Sequence, residues 1–140
     1  MTQTTTQQPT VSLEDARRVI AAAEERANDI GVPQNIAVVD AGGNLVAHAR
    51  MDGAWIGSID ISINKAFTAR AFDTATAALA EDSQPGDQFF GIQQSNHGRV
   101  MVFAGGIPLE RDGQVAGAVG VSGGKPEQDL ECAQAGLSAG

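Results

Sequence analysis

With 140 residues, 42% of them hydrophobic and 19% charged, the chain is long enough to bury a substantial core and is balanced like an ordered globular domain. A formal net charge of −8, from 9 basic and 17 acidic residues, argues against a nucleic-acid partner, which needs clustered lysine and arginine to neutralise phosphate. The single cysteine, Cys132, rules out an internal disulfide framework or a thiolate metal cluster, and its place in a periodic segment reads as a small core residue.

The opening "MTQTTTQQPT" is polar and uncharged, without the basic start and apolar run of a signal peptide. Residues 1–10 read as a disordered tail ahead of one domain at 11–140. No stretch approaches the ~18 apolar residues of a membrane span, so the expectation is a soluble, cytoplasmic protein with no membrane partner. Ser12 with Asp15 makes a helix N-cap, and Leu13, Ala16, Ile20, Ala23, Ala27 and Ile30 recur at helical steps up to a stop at Gly31. "NIAVVDAGGNLVAHARMD" reads as two strands joined by a hairpin loop from Asp40 to Asn44. "SIDISINKAFTARAFDTATAALAE" is helical by content, "DSQPGDQ" is a loop, and "FFGIQQSNHG" is irregular with one helical turn. "RVMVF" has the composition of a buried strand. Pro108–Arg111, Asp112-Gly113 and Gln114–Ser122 form a second hairpin, and Pro126 opens a closing helix. Hairpin-joined strands imply an antiparallel sheet with helices on its faces.

The middle helix is apolar on two opposite sides. With Ile63 at zero on a wheel of about 100° per residue, Ile56, Ile59, Ala66 and Phe67 gather on one side, expected to meet the sheet. Ile61 and Phe72 lie nearly opposite, with Lys65 between them. This second face predicts burial against another subunit or a ligand. Lys65 there either lays its stem on apolar surface and leaves its ammonium in solvent, or pairs with a ligand carboxylate. Arg70 falls on the first side and reads as a structural arginine reaching strand or loop carbonyls.

Of the two histidines, His48 sits mid-strand and His97 sits in the loop "QSNHGRV"; neither belongs to a zinc-binding spacing. Between Val102 and Gly124 there are seven glycines. Such density means that the backbone turns sharply or that something approaches it closely. "VSGGKPEQD" leads into a helix start, where free N–H groups suit an anion, although Glu127 and Asp129 can serve that dipole themselves.

"NKAFTARAF", "FAGGIPLERDGQVAGAVGVSGG" and "EQDLECAQAG" together resemble the GlcG/HbpS family, also called the PduO C-terminal-type domain. The resemblance runs from about Ser12 to Ala139. It is carried by the combination of KAxTA, GGxP, GAxGVSGG and a following QD. It implies a profilin-like α/β/α sandwich around a five-stranded antiparallel sheet with helices on both faces, assembled as homo-oligomers up to octamers. Several relatives bind haem, and some are described as haem-degrading or redox-sensing; one branch is a cofactor-independent lyase acting on 4-hydroxylaminobenzoate. On the haem reading, the pocket lies among Lys65, Gly105, Gly106, Pro108, Ser122, Gly123 and Gly124. Lys65 or the loop amides would hold propionates, with His48 or His97 as the iron ligand. On the lyase reading, Lys65 binds a small aromatic carboxylate and His97 acts as general acid or base. A third reading is a structural assembly protein whose pocket is vestigial. Glycines at the two ends of the second hairpin would then let the backbone approach the bound group.

Overall fold

The structure, a computed structural model, describes residues 5–139. Part of the expected tail, residues 1–4, lies outside the described residues. Within the remainder, the Gln8 amide donates to the Val115 carbonyl at 2.8 Å and the Thr10 hydroxyl accepts from Ala41 N–H at 3.0 Å.

Helix α1 spans Leu13–Ile30, capped by the Ser12 hydroxyl, which accepts from Asp15 N–H, and ended by Gly31 at φ 71. Its buried side carries Ala16, Val19, Ala23 and Ala27. Strands β1 (Asn35–Asp40) and β2 (Leu45–Arg50) form the first hairpin. Asp40 closes its turn by accepting from both Gly42 and Asn44 N–H. The long middle segment divides into α2 (Gly57–Phe72) and α3 (Thr76–Glu81), broken at Asp73, which is left-handed at φ 50. Two 3-10 turns, Ile92–Gln94 and Asn96–Gly98, precede the second hairpin of β3 (Gly106–Arg111) and β4 (Gln114–Ser122). Helix α4 (Pro126–Ala139) ends the described chain.

The sheet is antiparallel with order β2-β1-β4-β3. Because side chains alternate between its faces, Ile36, Val38, Val119 and Val121 meet α1 and α4 on one side, in a core that includes Ala23, Cys132 and Ala133. Ala37, Val39 and Ala118 meet Ala66 and Ala69 of α2 on the other. The layers are therefore helix, sheet, helix, as expected.

The sheet has four strands among the described residues, not five. The segment "RVMVF" is apolar enough for a strand, and Val100 is buried, but its backbone is satisfied elsewhere. The Thr68 hydroxyl on α2 accepts from Met101 N–H at 2.9 Å, while its own hydrogen goes to Asn64 O at 2.7 Å, with Arg99 O farther off at 3.3 Å. A helix side chain thus takes a bond that a strand neighbour would have taken.

Candidate functional site

The sheet side of α2 is lined by Ser58, Ser62, Lys65, Ala66 and Ala69, all buried, while Ile56 is 76% exposed. The helix is turned by roughly a third of a revolution from the orientation its isoleucines suggest. The cause is a row of small residues across the sheet, in which Ala37 pairs with Gly120 and Gly120 pairs with Gly106. A Cβ on Gly120 would run into the Ser62 carbonyl and Ala66 N, and one on Gly106 into the Lys65 carbonyl. The helix backbone lies directly on this floor, which no larger residue would permit.

That rotation carries Lys65 inward. It is fully buried, and its ammonium donates to the Val121 carbonyl at 2.9 Å and to Asp129 Oδ2 at 3.0 Å. The Phe103 ring covers it with its centroid 4.6 Å from Nζ. Asp129, on α4, also accepts from Gly124 N–H through Oδ1 at 2.9 Å. Burial pulls the Lys65 pKa below its ordinary value, against the opposing pull of Asp129. A Cβ on Gly105 would stand 2.7 Å from Nζ.

Of the residues expected to cluster, Gly105 and Gly106 lie against Lys65 itself. Gly123 closes on Pro33 and Gln34, and Gly124 on Gln128 and Val32. Lys65 is not on an outward face between Ile61 and Phe72; its ammonium already holds a carboxylate. Ser122 donates to the Ser58 hydroxyl at 3.1 Å beneath the start of α2. Pro108 stands apart on the edge strand β3, where its missing N–H is tolerated. Arg70 reaches the Ala41 carbonyl at 2.6 Å, the structural role expected of it.

His48 projects from the edge strand β2 beside Ala37. Its Nε2 is buried without a hydrogen-bond partner, and burial followed by Arg50 lowers its pKa, so the ring is held neutral. His97 is exposed. It sits at φ 59 directly after Asn96 at φ 52, two consecutive left-handed residues that each cost about 1–2 kcal/mol. Strain of this kind persists where the surroundings enforce it, and it gathers at functional segments.

Arg99 follows close behind His97. Its Nε donates to Asn64 Oδ1 at 3.2 Å, and its guanidinium lies 3.7 Å from the Phe67 centroid. Residues 99–103 therefore run along α2, pinned at Asn64, Thr68 and Lys65. Exposed Phe89, Phe90 and Phe103 belong to the same irregular stretch. Beside it, Phe72, Leu79, Phe89 and Ile92 line a largely apolar groove of about 390 Å³, together with Asp82. Sequence reasoning missed Asp129 as the partner of Lys65, and missed Arg99 and Phe103. The one available signal was a lysine in a helix whose other faces were apolar, which requires a carboxylate somewhere else in the chain.

Residues 11–138 match the family described as haem degrading protein HbpS-like, and the chain belongs to that family. It is 43% identical over 128 residues to an uncharacterised 15.0 kDa protein of the dhaT–dhaS intergenic region of Citrobacter freundii, covering 91% of this chain and 90% of that one. It is 39% identical over 129 residues to the corrinoid adenosyltransferase PduO of Salmonella typhimurium, covering 92% of this chain but only 38% of PduO. Among solved structures it superposes on the PduOC:haem complex with a TM-score of 0.88 at 39% identity, covering 92% of this chain and 94% of that one.

Proposed function

We propose, from membership of the HbpS-like family, that this chain binds haem on the irregular segment between α3 and β3. His97 is the iron ligand and Arg99 a partner for a propionate. The observation that carries the reading is His97 itself, an exposed imidazole on a strained left-handed turn. Iron ligation needs a free ring nitrogen; His97 is exposed, whereas His48 is half-buried with its Nε2 enclosed. Apart from the Nε bond to Asn64, the Arg99 guanidinium has no hydrogen bond among the described residues, so its terminal amino groups are free to pair with a carboxylate. Exposed Phe89, Phe90 and Phe103 supply aromatic surface for a porphyrin.

The lyase reading places a substrate carboxylate on Lys65, where Asp129 already sits, so haem binding is the better supported of the two. Haem degradation or redox sensing would need further chemistry at the bound iron. The decisive measurement is a haem titration followed at the Soret band. His97→Ala shifts the band and weakens binding, whereas His48→Ala leaves both in place. The reverse pattern, or an unchanged spectrum in both variants, would remove His97 as the ligand.

A further inference from the structure

Phe103 shields a buried ammonium, yet 38% of its surface remains exposed. We propose that its outward face is a stacking platform for a flat, electron-rich ring, polarised and held in place from behind by Lys65. The inference rests on the haem reading and assigns a contact within that site. An aromatic ring carries negative charge on its faces and positive charge at its edge. A cation against one face draws electron density towards itself and leaves the opposite face poorer. That face then stacks better on the electron-rich plane of a porphyrin.

The ammonium cannot retreat from the ring, because Val121 O and Asp129 Oδ2 hold it at 2.9 and 3.0 Å. Asp129 is fixed in turn by Gly124 N–H. The segment carrying Phe103 is tied to α2 at Met101 through Thr68 and at Arg99 through Asn64, which lowers the ordering cost of presenting the ring at the moment of binding. Arg99 precedes Phe103 on this pinned stretch, and His97 lies just ahead of it. Iron ligand, propionate partner and stacking face thus share one support.

The test uses iron-free protoporphyrin IX, whose binding does not depend on an axial ligand, in parallel with haem. Quenching of its fluorescence should show about tenfold weaker binding to Phe103→Leu and near-unaltered binding to Phe103→Trp. Lys65→Met combined with Asp129→Asn, checked by its melting curve to be folded, should weaken protoporphyrin several-fold while Phe103 is still present. If haem binds through His97 but Phe103→Leu binds both porphyrins as tightly as the unaltered chain, the platform is refuted and the haem reading stands. If the unaltered chain binds neither porphyrin, both fall.

Discussion

Replacing Lys65 with methionine keeps an unbranched side chain, shorter by the one nitrogen, and removes its charge. Asp129, 2% exposed, is then left with the Gly124 N–H and no cation, and the Val121 carbonyl loses its donor. Breaking a buried pair from one side costs about 3–5 kcal/mol, a large part of the ~5–15 kcal/mol that holds a domain together. The melting temperature should fall on the order of 10 °C. Adding Asp129→Asn removes the stranded charge and keeps an acceptor for Gly124. The double variant should therefore recover to within ~1 kcal/mol of the parent or exceed it. The lowered Lys65 pKa sets a pH dependence as well. Between that depressed value and 10.5 the unfolded chain holds the proton that the folded chain has lost, so stability rises with pH across this window. The double variant lacks that rise. Urea unfolding at several pH values measures all three quantities. A Lys65→Met variant within ~1 kcal/mol of the parent would refute the buried pair.

Three further outcomes follow from the same geometry. Gly120→Ala forces a methyl into the α2 backbone at Ser62 and Ala66 and should cost about 3 kcal/mol or more by urea unfolding; near-neutrality would mean that the helix does not rest on β4. His48, with its pKa lowered from 6.5 by burial and Arg50, contributes stability that is complete above pH 6.5 and lost as the pH falls through its depressed value. His48→Gln should flatten this acid limb in thermal melts, and an unaltered limb would place the titration elsewhere. Exposed Trp55, Ile56 and Phe72 predict a homo-oligomer in light scattering, shifted towards monomer by Phe72→Asp or Trp55→Asp; a monomeric parent would overturn this.

The elements were legible where local chemistry decides them. Ser12, Gly31 and the Asp40 turn mark their boundaries by capping and turn geometry that the surroundings do not override. The edge of the sheet was not legible, because "RVMVF" has the composition of a strand and only Thr68, far off in sequence, removes it from the ladder. The orientation of α2 failed for a related reason. A helix with isoleucines on several sides points nowhere by hydrophobicity alone, and close approach to a glycine floor selects the side with the smallest residues. Lys65 went inward with that choice, a position that composition disfavours until Asp129 is seen to meet it.

The glycine-rich motif and the lysine therefore belong to the architecture. Gly106 and Gly120 exist for the backbone of α2, Gly105 for Lys65 Nζ, and Gly124 for a bond to Asp129. On the proposed haem reading the side chains that meet the ligand lie on the stretch from Phe89 to Phe103, which has neither regular ladder nor long helix and carries the left-handed residues Asn96 and His97. Its contact with the motif is Phe103 on Lys65. A rigid scaffold with an irregular segment fastened across it is the arrangement in which binding groups can vary while the core stays packed. Substitutions in the motif should then alter stability first and ligand binding only through the position of Phe103, whereas substitutions at His97 and Arg99 should alter binding with the fold intact.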